Sequence, residues 1–285
     1  MPYTHDLMLV LIFIVSGLAA GYIGGLLGVG GGTILVPIFL TIFSFTSQSH
    51  DTIMHSAIAT SLGLVIPTGI AASYKQLKEK RLHLPLLWSW VPFIFIGVLV
   101  GVAIMSIVST LVLKYIFTSY LFLLALYQYL KMRREAGQKE DLDDEKFVPG
   151  KVAKVTGGVV IGGLSTLLGL GGGTFTVPFF SFFRYPLKNA VALSSATGIV
   201  IGFFGVIGAI VAGIGVPGRG EFSFGYLNLL AFFVMTPMVM ISAPWGVNTE
   251  NRMHPKKLRK LYLIFITFMA FYMLLHIVDA YYHFV

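Results

Sequence analysis

The chain has 285 residues, of which 56% are hydrophobic and 11% charged, with a formal net charge of +8 and a mean hydropathy of +0.85. A soluble domain carries about 25% charged residues, so the composition excludes a cytosolic enzyme, a nucleic-acid binder and a disordered chain. The charges fall in short clusters between long apolar runs, the pattern of a polytopic membrane protein, and the absence of cysteine removes disulfides and thiolate chemistry.

A spanning helix needs about 20 mostly apolar residues. In chain order, apolar segments are predicted at 7–27, 33–46, 53–74, 85–106, 107–130, 152–168, 174–184, 188–213, 224–247 and 261–282. The first lacks a basic leader and ends in a glycine motif that recurs, so it is not read as a signal peptide. His50, Asp51 and His55 precede the third segment and read as a solvated loop end. Tyr74 and Gln76 close that segment as interfacial residues. Trp88 and Trp90 follow a basic loop as interface anchors, and Tyr281 and Tyr282 serve at the opposite interface. The charged stretch 132–150 reads as a solvated linker. Pro244 and Asn248 predict a break in the ninth segment. His276 and Asp279 sit one turn apart and read as a local hydrogen bond. The deep segments hold no ionisable pair that could relay protons.

Sidedness follows from the 20 Lys and Arg residues. With both termini outside, 18 of them lie on the cytoplasmic side and only Lys114 and Arg219 lie outside. Short-loop positive charge favours the cytoplasm, so the expected location is the inner (plasma) membrane, multi-pass, with both termini outside.

The chain repeats itself. Residues 26–37 read LLGVGGGTILVP and residues 167–178 read LLGLGGGTFTVP, nine of twelve positions being identical at an offset of 141. AIATS at 57–61 is echoed by AVALS at 190–194, and Gly101 is echoed by Gly246. The expected architecture is therefore an all-α membrane protein of two five-segment repeats, 1–131 and 151–285, joined by the linker 132–150. Five is odd, so the second repeat is inverted in the membrane, as in secondary transporters whose substrate binds near the midplane. The second segment of each repeat is too short to span, which predicts two re-entrant hairpins whose glycine tips meet from opposite sides.

Gly28, Gly30, Gly31 and Gly32, with Gly169, Gly171, Gly172 and Gly173, leave bare backbone before helices that begin at Thr33 and Thr174. Free N–H groups at a helix start, with the helix dipole, make an anion site that needs no Lys or Arg. Packing against a neighbouring helix is the plainer use of any single such glycine. The P-loop lysine is absent, and so is a soluble dinucleotide-binding unit. Thr60 and Ser61, and Ser194, Ser195 and Thr197 at the matching place, can add hydroxyl donors or can simply bond backbone one turn back.

The doubled GLLGxGGGTxxVP motif, each copy followed by an AxATS-like segment, resembles the sulfite exporter TauE/SafE family, also called the toluene sulfonate uptake permease family. The likeness runs through nearly the whole chain. It implies transport of sulfur-containing anions such as sulfite or organosulfonates, with Gly28, Gly30, Gly31, Gly32, Thr33 and Pro37 and their partners Gly169, Gly171, Gly172, Gly173, Thr174 and Pro178 as the motif positions. Two departures stand out: Val200 in place of the proline matching Pro67, and Leu193 matching Thr60. The expected activity is secondary transport of a small sulfur anion by alternating access, most readily export. Cation-coupled organosulfonate uptake is the alternative, and an intramembrane enzyme a more remote one, since the deep hydroxyls lack a partner base. No cofactor, metal or nucleic acid is expected; the partners are a small anion and membrane lipid.

Overall fold

The computed structural model describes residues 2–27, 32–46, 48–135, 149–183 and 185–284. Gly28, Gly30, Gly31 and most of the 132–150 linker lie outside them. Ten helices run in the order α1 (Pro2–Leu27), α2 (Gly32–Ser44), α3 (Ile53–Lys78), α4 (Leu84–Ile107), α5 (Thr110–Glu135), α6 (Lys151–Leu167), α7 (Gly173–Phe182), α8 (Leu187–Gly213), α9 (Leu229–Arg252) and α10 (Pro255–Phe284). A two-stranded hairpin, β1 (Ser223–Phe224) and β2 (Leu227–Asn228), precedes α9. Among the described residues, seven helices are long and apolar enough to cross a membrane. The chain is a polytopic helical membrane protein.

The predicted segments and the observed helices agree closely, because loops fall where charge, proline or glycine interrupts the apolar runs. α9 is the largest shift. It starts at Leu229, after the hairpin, and Asn228 caps it by accepting from the Ala231 amide at 2.9 Å. The expected break at Pro244 and Asn248 is overturned: α9 is continuous through Pro237 and Pro244 to Arg252. A helix tolerates internal proline in this setting when neighbouring helices and side chains absorb the freed backbone group. α2 and α7 have 13 and 10 residues, about 20 and 15 Å at 1.5 Å per residue, short of the roughly 30 Å hydrocarbon core.

α3 is the centre of the bundle and is buried along nearly its whole length. It crosses α8 antiparallel: a Cβ on Gly69 would lie 2.8 Å from Ile199 Cγ1, and one on Gly202 2.7 Å from the Leu62 carbonyl. Two parallel pairs flank this crossing, α1 with α9 and α4 with α6. Glycines spaced by four let their backbones touch. Gly17, Gly21 and Gly25 of α1 face Met235, Met238, Val239, Ser242 and Ala243 of α9, and Gly246 closes on Tyr22. Gly158 and Gly162 of α6 face Trp90, Phe93 and Ile94 of α4, and Gly101 closes on Gly163. The equivalences are regular. Tyr22 matches Gly163 at the offset of 141 within the first and sixth helices, while Gly101 matches Gly246 at 145. α2 packs on α3 and α7 on α8, while α5 meets α10.

The loops gather at two ends. At one, Lys75 Nζ approaches the Pro244 carbonyl at 3.4 Å and the Asn248 side chain, and Glu250 sits in the field of Arg81, Lys188 and Lys75. Trp90 Nε1 donates to the Lys154 carbonyl at 2.7 Å there. At the other end, Thr52 Oγ1 donates to the Gly218 carbonyl at 2.8 Å and Thr110 Oγ1 donates to the Asp51 carbonyl at 2.5 Å.

Three residues expected at an interface or in a solvated loop are buried instead. Trp90 is 1% exposed, spends its N–H on Lys154 and stacks on Phe179 at 5.3 Å; Trp88 stays exposed. Gln76 is buried beside exposed Tyr74. His55 belongs to α3, is buried, and its Nε2 lies 3.0 Å from both the Met105 and Val108 carbonyls, while its ring stacks on Tyr226 at 5.0 Å. It ties the α4–α5 junction to the β-hairpin, whereas His50 and Asp51 are exposed. Lys114 is likewise buried, one turn into α5.

Candidate functional site

The second glycine turn links α6 to α7, and residues 165–174 are all buried. The Gly169 amide donates to the Thr166 carbonyl at 3.2 Å and the Leu170 amide to the Ser165 carbonyl at 2.8 Å, which reverses the chain. Gly169 has φ +67°, a left-handed conformation that side chains resist. Even without that strain a Cβ there would sit 2.9 Å from Ile58 Cα and from Val36 Cγ2. Gly172 caps α7, and its position is closed by Thr197 Oγ1, 2.7 Å from where a Cβ would be. The first-turn amides of α7 have no partner within the helix.

Of the first turn, Gly32 is described, as the first residue of α2. It lies directly on the second turn. A Cβ on Gly32 would come 2.5 Å from the Gly169 carbonyl oxygen, 2.8 Å from Leu170 Cα and 2.9 Å from the Gly171 nitrogen. Two segments 137 positions apart in sequence thus meet backbone to backbone, which glycine alone permits.

The predicted hydroxyls divide into two groups. Thr33 and Thr174, at the starts of α2 and α7, are each 1% exposed and have no hydrogen-bond partner among the described residues. The others are engaged. Ser61 Oγ donates to the Gly169 carbonyl at 2.8 Å. Thr60 Oγ1 accepts from the Asn228 amide at 3.1 Å. Ser194 Oγ and Ser195 Oγ donate to the Val191 carbonyl at 2.8 and 3.2 Å, and Thr197 Oγ1 donates to the Ser194 carbonyl at 2.9 Å. Buried hydroxyls without partners are costly by about 1–3 kcal/mol each, and these two fall at equivalent positions of the sequence repeat.

Sequence reasoning missed several neighbours of the turn. Ser165 and Thr166 are buried just before it, their hydroxyls unpaired among the described residues. They replace Gly24 and Gly25 of the first copy, and that exchange was the available signal. The Tyr120 ring of α5 lies 4.6 Å from that of Phe175, and its buried hydroxyl is unpaired among the described residues. Thr176 Oγ1 lies 3.3 Å from Thr197 Oγ1. Among the described residues no group of His, Asp and Glu could hold a metal ion.

A family model described as sulfite exporter TauE/SafE matches residues 13–273. The chain is 26% identical over 266 residues to a "probable membrane transporter protein" of Haemophilus influenzae, covering 93% of this chain and 98% of that one. It is 27% identical over 277 residues to a protein of the same description from Methanocaldococcus jannaschii, covering 94% and 97%. A third, from Bacillus subtilis, is 26% identical over 261 residues and covers 86% and 90%. No solved structure matches the chain.

Proposed function

The chain belongs to the sulfite exporter TauE/SafE family of membrane transporters, and from that premise we propose that it carries a small sulfur-containing anion, sulfite or an organosulfonate, outward by alternating access. The observation that carries the proposal is the contact of Gly32 with Gly169–Gly171. It supports a single site shared by the two turns, built from Gly28, Gly30, Gly31, Gly32 and Thr33 on one side and Gly169, Gly171, Gly172, Gly173 and Thr174 on the other.

In this reading α2 and α7 are the returning arms of two re-entrant hairpins in an inverted repeat. Their short lengths support it, and so does a helix pairing that is preserved when the two halves exchange places. First-turn amides and the Thr33 and Thr174 hydroxyls hold the anion. Ser61, which donates to the Gly169 carbonyl, holds the second turn, and Ser194 is its equivalent in the repeat. The absence of a basic side chain at the turns keeps binding weak enough for release. The clustering of Lys75, Arg81, Lys154 and Lys188 at one end of the bundle supports the cytoplasmic assignment of that end in an inner membrane, with both chain ends outside. An inside-negative potential then drives anion exit with about 2.3 kcal/mol per charge per 100 mV.

The test is flux of labelled sulfite and of a labelled alkyl sulfonate in proteoliposomes under an imposed potential. Saturable efflux that rises with the inside-negative potential is expected. Absence of flux for every sulfur anion tested overturns the substrate class, and influx that requires sodium or a proton gradient overturns the direction.

A further inference from the structure

Between α1, α2 and α10 lies a cavity of about 290 Å³, lined chiefly by Ser16, Pro37, Ile38, Thr41, Phe268 and Tyr272. Its two central hydroxyls satisfy each other. Thr41 Oγ1 donates to the Pro37 carbonyl at 2.8 Å, which leaves it to accept from the Tyr272 hydroxyl. The remaining wall is mostly apolar.

The repeat shows how the chain treats the same place elsewhere. At the offset of 141, Ser16 matches Gly157 and Ile38 matches Phe179. In the second copy the crevice between α6 and α7 is plugged. The Phe179 ring lies over Gly157 so closely that a Cβ there would be 2.5 Å from Cε2, and the ring stacks on Trp90 at 5.3 Å. The first copy has a hydroxymethyl where the second has a hydrogen, and a branched aliphatic where the second has a ring. The plug is missing and the space stays open.

The position of the mouth decides what enters. Ser16 is near the middle of the 26-residue α1, and Phe268 to Tyr272 are near the middle of the 30-residue α10. Phe268, which lines the cavity, is 63% exposed, and Val15, next to Ser16 in sequence, is 66% exposed. Both helices contain candidate membrane spans, so the mouth is continuous with the perimeter that meets hydrocarbon. Lipid headgroups and water-soluble anions lie about 15 Å away, half the hydrocarbon thickness. We propose that the cavity holds the terminal part of a lipid acyl chain, which fills between α1, α2 and α10 the space that Phe179 fills in the second copy. An apolar void stays free of water and takes up apolar groups, and acyl-chain ends are the groups present at that depth.

The test uses proteoliposomes of phosphatidylethanolamine and phosphatidylglycerol in which part of the phosphatidylethanolamine carries a diazirine near the methyl end of one acyl chain. After irradiation, labelled residues are mapped by peptide mass spectrometry. Labelling of Ile38, Thr41 and Met269 above that of the exposed perimeter residues Leu99 and Phe203 is expected. Ile38→Phe and the double variant Ser16→Gly/Ile38→Phe, which install the side chains of the second copy, are expected to lose cavity labelling and keep it at Leu99 and Phe203. Ile38→Ala widens the space and is expected to raise it, so a failure of the larger side chain to fold does not decide the matter. Cavity labelling no greater than at the perimeter, or unchanged in the Phe variants, overturns the proposal. Displacement of the label by toluene at concentrations that leave perimeter labelling intact also overturns it, by making the cavity a site for a small aromatic molecule.

Discussion

Ser61 of α3 holds the Gly169 carbonyl at 2.8 Å inside the buried centre of the bundle. The bond joins the middle of the first half to the turn of the second, and it pins a residue whose backbone is left-handed. Ser61→Ala removes the donor and leaves that carbonyl unpaired, which is expected to lower stability by about 1–3 kcal/mol. A lowered thermal midpoint in detergent, with a larger proportional loss in sulfite flux, is the outcome to look for. Unchanged flux would detach the bond from transport.

Gly32→Ala sets a methyl group against the backbone of Gly169–Gly171. Neither side can move without parting the two turns, so the variant is expected to insert, to run as a single species on size exclusion, and to carry no measurable flux. Gly172→Val meets Thr197 and Ile201 and is expected to behave alike. Sulfite flux beside a size-exclusion profile checks both.

Thr33→Val and Thr174→Val test the unpaired hydroxyls by the sign of two effects. Replacing an unpaired buried hydroxyl with a methyl group of similar shape is close to neutral, or stabilising by up to about 1 kcal/mol. If those hydroxyls serve the anion, each variant raises KM for sulfite while its thermal midpoint holds or rises. A fall in both affinity and stability would mark the threonines as structural.

Gly101→Val and Gly246→Val strike the helix pairs where Gly101 touches the Gly163 backbone and Gly246 the Tyr22 backbone. The added side chain has nowhere to go between touching backbones, and overpacking of this kind typically destabilises by about 1–3 kcal/mol. Reduced folded yield with an unchanged KM in the surviving protein is expected, measured by flux normalised to folded protein.

Much of this architecture was legible in one sequence. The twelve-residue repeat announced the turn between α6 and α7, and Gly32, at the start of α2, does meet it. The ten segments were legible because hydropathy sees where apolar runs stop. It does not see which way a residue faces inside a run, and this is why Trp90, Gln76 and His55 read as interfacial or solvated. Their polar atoms point inward, and for Trp90 and His55 the partners are carbonyls of Lys154, Met105 and Val108, far along the chain. Pro244 misled for a related reason: a proline ends an isolated helix in water, but α9 continues through it while packed by glycine-mediated contact with α1 on either side. The hydroxyls of Ser165 and Thr166 went unnoticed because the repeat draws the eye to identities, and these two sit where the copies differ.

The exchange of partners between α1–α9 and α4–α6 bears on how such a chain can be assembled and how it can move. Each first helix of a repeat is seated in a groove supplied by the other repeat, so a polypeptide severed in the 136–148 stretch would yield two fragments with complementary grooves standing empty in the lipid. They should accumulate when co-expressed and be degraded when made singly. In the alternating-access cycle proposed above, the same interlock makes any moving body a composite of helices from both halves of the sequence, since α1 travels with α9 and α4 with α6.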